Sequence, residues 1–226
     1  MPAPLKKQTL FDLSGGHPGL DLVNSLDNRF RADGPNENLV HYSDLLRFLG
    51  EVGLLDPQRI TLLNKIASEQ SAEQVLREVR ELREATAEVF YAAMDARTPA
   101  HADIETLERH FREASQHREL YWNPSGKGPA AAAAAAAAAD HDTPANLAWQ
   151  WRRNTETDPN LPLWLLSQSV SDILLSPDAA RVRTCAVDTC RWLFLDTSKN
   201  HTRRWCNMKV CGNRMKARRF QARRDD

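Results

Sequence analysis

All four cysteines of this chain of 226 residues fall within its last 42 positions, as two identically spaced pairs. They read Cys185-x4-Cys190, then 15 residues, then Cys206-x4-Cys211. Two thiol pairs at that separation can close around one tetrahedral ion, and zinc takes four thiolates in structural sites. Such an ion contributes folding energy directly. The competing arrangements are two disulfides, an iron–sulfur centre and four unrelated core cysteines. Residues 1–10 hold Pro2, Pro4, Lys6 and Lys7 and no apolar run of the secretory kind. A reducing, cytoplasmic setting is therefore expected, and it disfavours disulfides. Pairing within so short a stretch argues against chance, so one structural Zn2+ on the four cysteines is the expectation.

The zero formal net charge hides a strong asymmetry. Residues 181–226 carry 13 Lys and Arg against 4 Asp, a net of +9, and residues 1–180 carry the opposite net of −9. A basic end on an acidic body points to a nucleic-acid partner, or to a tail folded on its own body. No apolar stretch approaches the roughly 20 residues of a membrane span.

The body reads as mainly α, with residues 1–180 as one helical domain and 181–226 as a small metal-stabilised module. Gly19–Phe30 has helical spacing, with Leu20, Val23, Asp27 and Phe30 on one line and Asp21, Asn24, Ser25 and Asn28 on a polar one. Ser43 suits the N-cap of a helix carrying Leu45, Leu49 and Val52, and Pro57 opens a shorter one. The longest helix is predicted over 71–94, with Ser71 and Gln74 as a capping box and a stripe of Val75, Val79, Leu82, Thr86, Val89 and Ala93. Beyond Pro99 the next stripe is Ile104, Leu107, Phe111 and Ala114. Residues 123–146 read as a linker, turn-rich and then Ala-rich at Ala130–Ala139. Leu147–Trp151 suits a short strand, and Leu163, Leu166, Val170 and Ile173 mark the last helix of the body.

In the basic module, Arg191–Asp196 has strand composition and Thr202–Trp205 is its expected hairpin partner. The predicted order is therefore knuckle, β-hairpin, knuckle and helix, a treble-clef-like finger. So small a unit buries too little apolar surface to fold unaided, and the metal substitutes for a core built on Trp192, Phe194 and Trp205. On the final helix, Val210, Asn213, Ala217 and Phe220 form the expected inward stripe. Arg214 and Arg218 share a second line, and Lys216, Arg219 and Arg223 a third. With Arg203 and Arg204, these cations would neutralise phosphates on DNA, and an arginine could read guanine in the major groove. RNA is the rival partner, since a basic helix alone does not choose between them.

At Cys211-Gly-Asn-Arg214, preceded by Arg203-Arg-Trp-Cys206, the chain resembles the CGNR zinc finger family over roughly residues 181–224. Gly19-Leu-Asp-Leu-Val-Asn-Ser25, Asp44-Leu-Leu-Arg-Phe-Leu49 and Leu82-Arg-Glu-Ala85 resemble, in order, the ABATE domain that accompanies this finger. The resemblance implies a bacterial, stress-linked transcription regulator with zinc on Cys185, Cys190, Cys206 and Cys211 and DNA bound through the finger.

Arg83 borders the apolar stripe of the long helix and needs an anionic or carbonyl partner. With Asp21 and Asn24 it frames a candidate pocket for a small anionic effector; the alternatives are a permanent internal salt bridge to Asp21 and an arginine that snorkels to solvent. His101, His110 and His117 are spaced by 9 and 7, which makes no metal site, and His110 and His117 are expected to face solvent or a helix neighbour. Three rivals to a regulator remain: a protein–protein adaptor, a redox sensor acting through the zinc thiolates, and a nuclease using Asp196, Asn200 and His201. A nuclease needs an open metal position, which four thiolates deny. Phosphate-loop, metalloprotease and serine-hydrolase motifs are absent from the sequence. A homodimer would suit a symmetric operator.

Overall fold

The computed structural model describes residues 11–122 and 147–225; the Ala130–Ala139 tract and the rest of the expected linker lie outside them. Helix α1 (Pro18–Asn24) is shorter than its spacing predicts. His17 caps it by accepting from the Gly19 N–H, and Pro18 starts it with a preset φ. Every residue from Gly19 to Asn24 is buried, including the polar face. A Cβ on Gly19 would stand 3.2 Å from both Ile173 Cγ2 and Val170 Cα, so glycine sets how closely α1 crosses the helix carrying them. After α1 the chain turns into a two-residue ladder, β1 (Leu26–Asp27) against β2 (Asn36–Glu37).

Helices α2 (Tyr42–Glu51), α3 (Pro57–Ile66), α4 (Glu69–Met94) and α5 (His101–Gln116) follow. Two start earlier than predicted. His41 precedes α2, its N–H bonded to Asp44, and Ser68 caps α4 by accepting from Ser71 N–H at 3.1 Å. Asp56 caps α3, accepting from Gln58 and Arg59 N–H. The α4 stripe runs through Val75, Val79, Leu82 and Thr86 as predicted, then continues at Phe90 while Ala93 is exposed. A straight helix of 3.6 residues per turn drifts off a strict seven-residue repeat, which favours the four-residue step to 90. On α5, Leu107 and Ala114 are buried, Ile104 is exposed, and His110 fills the line between them.

An antiparallel hairpin of β3 (Arg118–Trp122) and β4 (Leu147–Trp151) follows, with Arg118 opposite Trp151 and Trp122 opposite Leu147. Helix α6 (Leu161–Leu174) then runs through the centre of the body, burying Leu163, Leu166, Val170 and Ile173 as predicted. It packs against α1, α2, α4 and α5. The main core joins α2, α4 and α6 around Leu45, Phe48, Leu82 and Leu166.

Strand β5 (Val182–Thr184) pairs antiparallel with β6 (Leu193–Leu195), and α7 (Asn213–Asp225) ends the described chain after a π-helical turn, Met208–Gly212. The strands do not belong to a free-standing finger. Val182, Leu193 and Leu195 share a second core with Leu20, Val23, Phe90 and Ile173. The class is mainly α with small two-stranded sheets and a four-cysteine module at the C-terminal end.

Candidate metal centre and basic helix

The four cysteines come together. Their sulfurs all lie within 4.8 Å of one another, with Cys190 Sγ 3.7 Å and Cys211 Sγ 3.8 Å from Cys206 Sγ. A disulfide would place two sulfurs at about 2.05 Å. Four thiolates at ~2.3 Å from a tetrahedral zinc stand about 3.8 Å apart. The donor set and its spacing therefore fit a zinc-class ion. Cys185, Cys206 and Cys211 are buried and Cys190 half-buried, around Phe194, Trp192 and Trp205. That is the small core the sequence predicts. With protons as the only counter-charge the thiols cannot ionise together. Hydrogen bonds from Cys190 and Cys206 pull Cys185 far down, while hydrogen bonding to Cys185 pushes Cys190 and Cys206 up. A divalent cation eases that conflict by coordinating all four thiolates at once, which leaves the centre with a net charge of −2.

The first cysteine pair sits in the loop between β5 and β6, where Cys185 N–H donates to Trp192 O at 2.9 Å. This corrects the predicted hairpin: Thr202–Trp205 is not the partner of the 191–196 strand. One edge of β6 is taken by β5. The other is covered by the body. Asn24 Oδ1 accepts from Leu193 N–H at 3.0 Å, Asn24 Nδ2 donates to Leu193 O at 2.8 Å, and Gly15 O accepts from Leu195 N–H at 2.8 Å. No edge is left for 202–205. Arg204 O accepts instead from Ala186 N–H at 2.8 Å, and Arg203 N–H donates to Asp196 Oδ2 at 3.0 Å.

The same contacts dissolve the predicted effector pocket, because Asp21, Asn24 and Arg83 each hold a separate partner. Arg83 is 3 % exposed, and its guanidinium grips both oxygens of Glu37 at 2.7 Å, with further bonds to Glu84 Oε1 at 2.8 Å and Ser25 Oγ at 3.3 Å. Burial works against Glu37's charge, yet the guanidinium prevails and holds its carboxyl below the usual range. The internal salt bridge exists, with Glu37 in place of Asp21. Asp21 accepts from Gly15 N–H at 2.8 Å, and burial pushes its carboxyl up to about 7. A Cβ on Gly15 would lie 2.6 Å from Asp21 Oδ1, so only glycine lets that backbone reach both Asp21 and β6. Sequence reasoning missed this seam, whose signal was the polar face of α1 read as a pocket wall.

More bonds tie module to body. Trp192 Nε1 donates to Asp27 Oδ1 at 3.1 Å, Arg191 pairs with Asp95 at 3.1 Å, and Asn207 Nδ2 donates to Ser14 Oγ at 3.2 Å. Asp196, expected near a nuclease site, is fully buried as a turn cap, its carboxylate accepting from Ser198 N–H, Ser198 Oγ and Arg203 N–H.

The basic side chains divide into two groups. Arg203 is half-buried, donating to the carbonyls of Trp205 and Cys206 and lying 4.4 Å from the centre of the Phe194 ring, so it braces the centre. Arg204 is exposed above Trp205. Arg214, Lys216 and Arg218 project from α7, exposed and without a hydrogen bond or ion pair among the described residues. Arg219 and Arg223 lie on the same helix, with side chains outside the described set. The predicted inward stripe of α7 is overturned: Val210 is 48 % and Phe220 64 % exposed, and Asn213 and Ala217 are exposed too. What anchors the helix is the π-helical turn before it, where Cys211 is buried and Lys209 O accepts from Asn213 Nδ2 at 3.1 Å.

Comparison with known families agrees with this layout. Residues 181–224 match the CGNR zinc finger. Residues 16–182 match the ABATE family, described as "Putative stress-induced transcription regulator". No curated protein matches the chain. The ABATE match spans well over half of the sequence and the finger match adjoins it, so the chain belongs to the ABATE family and carries a CGNR zinc finger at its C-terminal end.

Proposed function

We propose that this protein is a bacterial, cytoplasmic transcription regulator that binds duplex DNA through its C-terminal finger, held in shape by one structural zinc. The observation that carries the reading is a contrast in how the cations are used. Most described arginines of the body, among them Arg29, Arg80, Arg83 and Arg97, are paired with carboxylates. Arg214, Lys216 and Arg218 present unpaired charge on one exposed helix, beside a module rigid enough to aim it. The ABATE match supports a regulator and the finger match supports zinc.

Zinc here is structural. Four thiolates leave no position for water or substrate, so the ion fixes the two knuckles and the start of α7 and takes no part in a reaction. The cations then exchange condensed counterions for phosphate contacts. Four such contacts predict a fall in affinity of about a hundredfold between about 50 and 200 mM salt. Fluorescence anisotropy of the zinc-loaded protein on duplex DNA, with single-stranded RNA alongside, tests this. Salt-dependent duplex binding supports the reading. Preference for RNA, or no binding to either, overturns it in favour of an RNA-binding or protein-adaptor role.

A further inference from the structure

We propose that Glu78, His110 and Glu113 form a second metal site, outside the finger, that takes a divalent first-row ion through one imidazole nitrogen and two carboxylates. Glu78 comes from α4. His110 and Glu113 lie three residues apart on α5 and so share a face. One ligand atom from each lies within 4.8 Å of the other two.

His110 carries the argument. It is 0 % exposed and sits where the α5 stripe calls for an apolar residue. Its Nδ1 is buried with no hydrogen-bond partner. The Arg109 guanidinium beside Nε2 can donate but not accept, so Nε2 carries the lone pair that an ion takes when Arg109 moves aside. Burial, reinforced by the neighbouring Arg109, lowers the His110 pKa and keeps the imidazole neutral, the form that ligates. The carboxylates are oriented from behind. Glu113 Oε1 accepts from Trp164 Nε1 at 3.2 Å, and Glu78 Oε1 accepts from Gln74 Nε2 at 3.0 Å. Outer donors of this kind are what fix metal-binding carboxylates.

Arg109 is the resident competitor. Its Nη2 lies 3.2 Å from His110 Nε2 and its Nη1 3.9 Å from Glu78 Oε2. Its side chain is 49 % exposed and also pairs with Glu81 at 3.3 Å, so it can retreat to Glu81 when an ion enters. Glu113 also borders an open groove on the outer face of α5, beside Arg109 and Arg112. One imidazole with two carboxylates suits zinc, manganese, iron, cobalt or nickel better than a soft ion such as copper(I).

The full chain, loaded with one equivalent of zinc to fill the finger, is titrated with Mn2+ and followed by loss of the free-ion EPR signal. Co2+ in a parallel titration reports the donors. Thiolate ligation gives intense charge-transfer bands, whereas nitrogen and oxygen ligation gives only weak visible ones. The expected result is one further equivalent bound without new thiolate bands. Glu113→Gln and His110→Gln each weaken it at least tenfold and leave the finger zinc in place, and Arg109→Gln tightens it. No second equivalent in the wild-type protein overturns the site. So does a second equivalent whose affinity is unchanged in both Glu113→Gln and His110→Gln, or its loss in Arg109→Gln.

Discussion

Asn24→Ala tests whether the finger is built onto the body or merely follows it. Asn24 is 4 % and Leu193 0 % exposed, and the carboxamide satisfies both the N–H and the C=O of Leu193. Alanine leaves two buried backbone groups without partners, at about 1–3 kcal/mol each. Part of that is recovered if water enters the space left by the amide, so the net expectation is a loss of about 2–4 kcal/mol. For a chain of this size that lowers the unfolding midpoint by about 5–15 °C. Thermal unfolding measures the total, and amide hydrogen exchange at residues 193–195 locates it. Exchange should accelerate at Leu193 and, through the adjacent bond to Gly15, at Leu195. Asn24→Asp is the control: it keeps an acceptor for the Leu193 N–H but sets a carboxylate against the Leu193 carbonyl, so it should be no better than alanine at neutral pH. A loss under about 1 kcal/mol, the net worth of one ordinary hydrogen bond, with unchanged protection at Leu193, would refute the view that Asn24 completes the sheet.

Asp21, with its carboxyl raised to about 7, binds a proton more tightly folded than unfolded, so its contribution is full at acid pH and is lost as pH rises from about 4 through 7. Asp21→Asn keeps an acceptor for the Gly15 N–H and should flatten the stability profile across that window; an unchanged slope in urea titrations would show that Asp21 is not the group responsible. Cys206→Ser should lose the finger's zinc and release the knuckles and α7, while β5 and β6, held by Val182, Leu193 and Leu195 in the body's core, stay protected from exchange. Retention of that zinc at full stoichiometry would remove Cys206 from the ligand set. Arg214→Ala with Arg218→Ala should weaken duplex binding and flatten its salt dependence by about two contacts, with metal content unchanged; unaltered affinity would mean that α7 does not face DNA.

Much of the fold could be read before any coordinates, and what could not has specific causes. Stripes on α2, α4 and α6 were legible because those helices are long enough for the period to declare itself and each faces a core. The four-cysteine cluster was legible because thiols have few other reasons to pair at fixed spacing. Periodicity failed on α7 for the opposite reason. Val210 lies in the π-helical turn, outside the α period, and for Asn213, Ala217 and Phe220 a period says which residues lie together and nothing about whether another element covers them. On α5 the signal was present and passed over: His110 stands three residues after the buried Leu107 and four before the buried Ala114, which places it inside. Counting histidine spacings on one helix could not find its carboxylate partners, because one of them, Glu78, comes from α4.

The β6 pairing was the hardest to foresee, and the reason reaches beyond this sheet. A three-residue strand has too little alternation to name its partner, and hairpin logic favours the nearest segment on either side. Here the nearest segment in sequence, Thr202–Trp205, lost to β5 on one edge and to side chain and loop from the body on the other. The polar face of α1 had been legible as polar, and a side-chain partner such as Arg83 is the natural guess for a buried asparagine. Backbone amides, though, are the commonest hydrogen-bonding groups in any protein, and an asparagine presents a donor and an acceptor in the spacing of a peptide group. Asn24 therefore acts as one more strand residue for β6, across 169 positions of sequence. That is why Asn24, expected to line an effector pocket, instead holds the finger: a buried carboxamide pairs with whatever backbone edge the fold leaves open.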